Sequence, residues 1–206
     1  MTPKAFTEAQ RGELQDELAR IGRDHFSRYG YRRTNIADIA GEAGIGKGTF
    51  YLFFGSKAEL FVTIAAGVEA DLRAWMAGEM EKPFDTPRAR IVHFLRSQLE
   101  VFRDHPFLRI VIDPDEARSL FRELPEGAAE GLMASDDAHF SALVEEWRGR
   151  GWIGAVDPPT FGAACRALYA MSLHPDMVGE DRLPAALELV IQGLADRLDP
   201  EGRGAA

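Results

Sequence analysis

Residues 41–49 read GEAGIGKGT and gather the residue types that handle phosphate. Two chemistries can use them. In the first, Gly41-x-x-Gly44-x-Gly46-Lys47-Gly48-Thr49 forms a loop whose backbone N–H groups cradle a nucleotide's phosphates, with the lysine reaching their charge and the threonine hydroxyl on magnesium. In the second, Lys47, Gly48, Thr49 and Tyr51 lie on the outer face of a short helix. There an ammonium, a hydroxyl and a phenol, beside a glycine that permits close approach, suit the phosphates and base edges of DNA.

The flanking elements choose between them. A phosphate-cradling loop needs a buried apolar strand before it, but residues 34–40 read TNIADIA. Ile36, Ile39, Ala40 and Ala43 fall at i, i+3, i+4 and i+7, one face of a helix. Asn35 is placed to cap that helix, and Asp38 in its first turn suits the positive end. Gly44 falls where the helix must stop and the chain needs positive φ. Gly46 then caps a helix over about 47–53, with Phe50 and Phe54 turned inward. Two short helices across a glycine-marked turn make a helix-turn-helix, the second being of a size to enter a major groove. The loop is similar to that of nucleoside monophosphate kinases, but Gly48 directly follows the lysine and no second strand ending in an Asp follows. A P-loop enzyme is therefore the remote alternative.

The ordered set Phe26, Gly30, Tyr31, Thr34, Asn35, Ile39, Ala40, Ala43, Gly44, Lys47, Gly48, Phe50, Tyr51, Phe54, Lys57 and Leu60 resembles the N-terminal pattern of the TetR (tetracycline-repressor-like) transcriptional regulators. The resemblance covers about the first 65 residues. It implies an all-α fold, with a three-helix helix-turn-helix domain at 1–56 and a helical bundle at 57–206 for effector binding and dimerisation. It implies that Asn35 touches a phosphate while Lys47, Gly48 and Thr49 face the groove. Tyr51 and Lys57 would contact the DNA backbone, and Thr34 and Gly46 complete the expected surface. Two positions depart from the pattern: Gly46 stands where Ser or Thr is usual, and Phe53 where many members carry His or another polar residue. The implied function is a homodimeric repressor on a near-palindromic double-stranded operator, released when a small-molecule effector moves the fourth helix. Two heads are needed to reach half-sites one turn, ~34 Å, apart.

Whole-chain properties agree. The 206 residues suit one small and one larger domain, and a hydrophobic content of 46% is enough for a core. The net charge of −9 argues at first against DNA. It is unevenly spread: residues 1–60 hold nine basic and eight acidic side chains, and the remainder fifteen and twenty-five. The acidity thus lies away from the proposed DNA surface, where Arg32, Arg33, Lys47 and Lys57 cluster. The N-terminus has no apolar run of a signal peptide, and no segment reaches the ~18 apolar residues of a membrane span. The single Cys165 rules out an internal disulfide and suits a reducing cytoplasm. No metal or other cofactor is expected, since His93, His105, His139 and His174 show no ligand spacing and the lone cysteine has no partner. No catalytic arrangement is legible, so an enzyme is not expected.

Helical periodicity runs throughout. Helices are expected over about 8–29, 57–81, 87–104, 136–150, 158–174 and 183–198. FLRIVI at 107–112 reads as a further short helix, 113–135 is rich in Pro and Gly, and the EGRGAA tail is expected to fray. Trp75, Phe94, Phe102, Trp147 and Tyr169 are candidates for an apolar effector pocket, against plain core packing. By resemblance, Phe161, Cys165, Leu168, Leu187, Val190, Ile191 and Leu194 are candidates for the dimer face, against packing inside one chain. A second function class remains, a helical ligand carrier or scaffold whose DNA-binding-like head is inactive, motivated by Gly46 and Phe53.

Overall fold

The structure, a computed structural model, describes residues 7–124 and 126–202. Among them are eleven helices and no strand: α1 Glu8–Arg33, α2 Ile36–Glu42, α3 Lys47–Phe50, α4 Lys57–Met80, α5 Pro87–Asp104, α6 Arg109–Ile112, α7 Pro114–Glu123, α8 Ala128–Gly149, α9 Pro158–Leu173, α10 Pro175–Val178 and α11 Leu183–Leu198. The all-α expectation holds. α5 and α11 have the expected bounds. α3 is shorter than expected, closing at Phe50 and continuing as a tight turn in which the Phe54 N–H donates to the Phe50 carbonyl at 3.1 Å. The Pro/Gly-rich region 113–135 holds two elements, because Pro114 opens α7 rather than breaking it, and Gly131 lies inside α8. α10 was not expected. The end of the tail, 203–206, lies outside the described residues.

The chain divides into two compact units, the first from the described part of Met1–Ala74 with Pro106–Glu126, the second from Trp75–His105 with the rest. The first unit therefore runs beyond residue 56 and gathers α6 and α7. Its core joins Leu18, Ile21 and Phe26 of α1, Ile39 of α2, Phe50 after the turn, Phe61 and Ile64 of α4, and Phe107. Thr7 and Gln10 open α1 as a reciprocal capping box. Asn35 caps α2, its Oδ1 accepting from the Ala37 N–H at 3.0 Å, and Gly44 closes it at φ 71°.

α1 overruns its expected end at residue 29 but is broken at Gly30, which adopts φ 76° and ψ 175°. That region is almost closed to residues with a Cβ. The break turns Tyr31 inward, where it is fully buried, stacked on Phe26 at 5.8 Å and edge-on to Phe61 at 5.7 Å. A Cβ at position 30 would also lie 2.9 Å from the Glu116 carboxylate. Gly30→Ala is expected to destabilise the protein by about 1–3 kcal/mol from backbone strain alone. A urea-unfolding midpoint equal to that of the wild type would contradict this account.

The second unit packs α5, α8, α9 and α11 around Phe94, Trp147 and Phe161. The Phe94 ring meets the Trp147 indole edge-on at 4.8 Å, and Phe161 stands 6.0 and 6.4 Å from the two. Polar ties on the rim join α5 to α11: Arg88 to Asp196 and Gln192, and Arg96 to Glu188. The Arg90 guanidinium lies over both the Phe84 and Trp152 rings, at 4.6 and 3.8 Å, and donates to the Met80 carbonyl.

Candidate nucleic-acid interface

Three helix ends converge on one open depression of the first unit, about 530 Å³ in volume. The end of α1 supplies Arg32 and Arg33, the start of α2 supplies Asn35, and the start of α3 supplies Lys47. Tyr51, Gly55, Ser56 and Lys57 complete that side, and Glu123 of α7 borders it. The side chains of Arg32, Arg33 and Lys47 are exposed and make no ion pair among the described residues. Their charge is therefore open to solvent and to anions.

Each expected contact residue has a definite place. Lys47 and Gly48 are exposed at the first turn of α3, and Gly46 provides no side-chain cap there. The first backbone N–H groups of that helix thus lack an internal partner and suit an anionic oxygen. Thr49 is half-buried, and Tyr51 is 45% exposed with its ring edge-on to Phe50. Asn35 is exposed, and its cap uses only the side-chain oxygen, leaving its amide N–H groups as donors.

Two expectations need correction. Thr34 borders the depression, but its side chain is buried and its hydroxyl donates to the Gly30 carbonyl at 2.6 Å. It shapes the turn after α1 and offers no free donor. Lys57 is half-buried and largely committed: its Nζ donates to the Tyr31 carbonyl at 2.9 Å and the Thr34 carbonyl at 3.4 Å, and lies 4.2 Å above the Tyr31 ring. It closes the carbonyl end of α1, and one of its three N–H groups remains for a phosphate. Burial lowers its pKa, while the negative charges of Glu123 and Glu116 oppose that shift.

The departure at Phe53 has a local role. Its half-buried ring lies 5.3 Å from the Arg11 guanidinium, and Arg11 donates to the Leu52 carbonyl at 3.2 Å. α1 thereby holds the turn that follows α3. Neither Arg11 nor the acids of α7 carried any signal in the sequence. The kinase-like loop fails on structure: residues 36–42 form a helix where that loop requires a strand.

In the second unit, Phe94 and Trp147 are buried core. Tyr169 is buried too, stacked on Phe102 at 4.3 Å, with its hydroxyl donating to Gln98 Oε1 at 2.6 Å. Trp75 is 43% exposed. Phe94, Trp147 and Tyr169 thus pack in the core, while Trp75 stands largely outside it. The expected dimer face is also corrected. Phe161, Cys165, Leu168 and Ile191 are each at most 2% exposed, covered by their own chain, and have no surface left to give a partner. Burial pushes the Cys165 thiol up to about 12. Leu187 and Leu194 are half-buried, Val190 is exposed, and Leu189, which was not expected, is 75% exposed. No three His, Cys, Asp or Glu side chains gather as metal ligands among the described residues. No helix there is long and apolar enough to cross a membrane.

A helix-turn-helix presenting a cationic groove defines a class of DNA-binding head, and comparison with known proteins agrees. Residues 22–64 match the family model described as bacterial regulatory proteins, tetR family. The chain is 30% identical over 143 residues to the HTH-type transcriptional regulator RutR of Escherichia coli O157:H7, a match covering 66% of this chain and 62% of that one. It is 28% identical over 123 residues to the HTH-type transcriptional repressor KstR2 of Mycolicibacterium smegmatis, covering 58% and 57%. The matches thus span less than two thirds of these relatives' own length. Among solved structures, a TetR-family regulator from Pectobacterium atrosepticum superposes with a TM-score of 0.64 at 20% identity, covering 92% of this chain and 94% of that one. RolR in complex with resorcinol superposes with a TM-score of 0.63 at 16% identity, covering 91% and 90%. Residues 22–64 thus carry the DNA-binding-head signature of the tetR family of bacterial regulatory proteins.

Proposed function

We propose that this chain is a homodimeric transcriptional repressor that binds a near-palindromic operator and is released by a small-molecule effector. The observation carrying the proposal is the groove itself: Arg32, Arg33 and Lys47, unpaired among the described residues, lie beside the exposed first turn of α3 and the Tyr51 phenol. Cations of this kind position a protein on phosphates, and a helix at the groove reads base edges. The repressor name of KstR2 and the resorcinol bound to RolR support the repression and the effector. Exposed Leu189 and Val190 on α11 support a second copy as partner. No enzymatic activity is part of this reading, and its place of action is the cytoplasm, where the operator lies.

The test is fluorescence anisotropy of the purified protein against duplexes tiling the DNA just upstream of its gene, at physiological salt with competitor DNA. We expect saturable nanomolar binding, two chains per duplex, to one near-palindromic tile. Equal, weak binding to every tile and to unrelated genomic duplexes would leave the carrier reading in its place.

A further inference from the structure

The groove contains one element that DNA chemistry does not ask for. Among its described lining residues are four basic side chains, Arg32, Arg33, Lys47 and Lys57, and a single acid, Glu123. Glu123 comes from α7, distant in sequence, and it is held in place. Its Oε2 accepts from the Tyr31 hydroxyl at 2.6 Å, and that hydroxyl belongs to a ring buried in the core. Seven residues earlier, on the same face of α7, Glu116 accepts from the Arg32 backbone N–H at 2.8 Å. The Glu116 carboxylate fits against Gly30 only because no Cβ stands there. α7 is thus fixed to the turn after α1 at two points, about two helical turns apart on one face.

We infer that Glu123 is an internal competitor of the DNA phosphates, a carboxylate docked in the cationic groove that holds operator affinity below what the groove's cations would otherwise give. The inference rests on the operator-binding reading above. Its physical basis is charge. A phosphate entering beside Lys57 meets the like charge of Glu123, which already acts on that ammonium, and the burial of Tyr31 keeps its phenol protonated as the donor that retains the carboxylate. Displacing α7 from the head would remove this charge and free the groove, which makes α7 an adjustable part of the DNA surface rather than a spacer.

The experiment compares wild type with Glu123→Gln, whose amide oxygen still accepts from Tyr31, and with Glu116→Gln. Operator and scrambled duplexes are titrated by anisotropy between ~50 mM and ~500 mM salt. We expect Glu123→Gln to bind about 3–10-fold more tightly at the low end, on both duplexes because phosphate contacts are sequence-independent. The gain should fade towards the high end as charges are screened. Glu116→Gln, outside the groove lining but also acting on the Lys57 charge, should gain less than Glu123→Gln. Equal or weaker binding by Glu123→Gln at low salt would overturn the inference, as would a gain independent of salt or confined to the operator. Operator binding by the wild type with no gain in the variant would sink this inference alone. Absence of DNA binding by the wild type would sink the operator reading and this inference together.

Discussion

Lys47→Ala combined with Tyr51→Phe is expected to weaken operator binding by at least ~100-fold while leaving the fold intact. Lys47 is exposed at the first turn of α3 and free of ion pairs among the described residues, so alanine removes a charge that nothing in the protein uses. Loss of one such contact to DNA costs about 1–3 kcal/mol. The Tyr51 ring stays packed on Phe50 in the phenylalanine variant, so only the hydroxyl is lost, a further ~1 kcal/mol for one hydrogen bond. A dimer counts each loss twice, once per head. The manner of the loss is informative as well. If Lys47 holds a phosphate, the single variant should weaken all duplexes alike and lower the salt slope by about two, one per head; if it reaches a base edge, specificity should relax at one position of each half-site. Because both side chains point to solvent, the melting temperature should move little. Operator affinity within a few-fold of wild type would mean that α3 is not the reading surface.

The head was legible because its signals are local. The Asn35 cap, the positive φ of Gly44 and the inward pair Phe50 and Phe54 each follow from neighbours within a few residues. What could not be read is what comes from afar. Tyr31 and Glu123 stand 92 positions apart, and Arg32 and Glu116 stand 84 apart. No periodicity links them, so a surface expected to lie away from the chain's acidity contains an acid. Lys57 illustrates the same gap: its type suits a phosphate, but only the fold reveals that the carbonyls of Tyr31 and Thr34 engage it.

The second unit shows a different limit. An apolar stripe on a helix states that one face is covered; it does not state by which chain. The α9 stripe Phe161, Cys165 and Leu168 is covered by the chain's own α5, α8 and α11. Leu189, which breaks the stripe of α11, is the residue left outside. Loop signals misled for a related reason. Pro114 and Gly131 read as breakers in isolation, but proline is tolerated in a helix's first turn, and tertiary packing overrides a single internal glycine.

Trp147→Ala is the substitution expected to cost the second unit most. The indole is 2% exposed and touches aromatic rings from two other helices, Phe94 on α5 and Phe161 on α9, with Trp152 beside it. Its removal loses the buried area and opens a cavity that these rigid rings cannot refill, at about 3–5 kcal/mol. For a chain of this size that corresponds to a fall in melting temperature of roughly 6–20 °C. Trp147→Phe, which refills part of the space, should recover part of that loss. The measurement also separates two roles for the residue. A tryptophan that lines an effector pocket would, on truncation, alter ligand affinity at modest cost in stability, because the pocket wall already faces a void or water. One that fills the core must register first in thermal or urea unfolding, whatever ligand is present. A change of less than about 1 kcal/mol on truncation would show that the core closes without the indole, and would return Trp147 to the pocket.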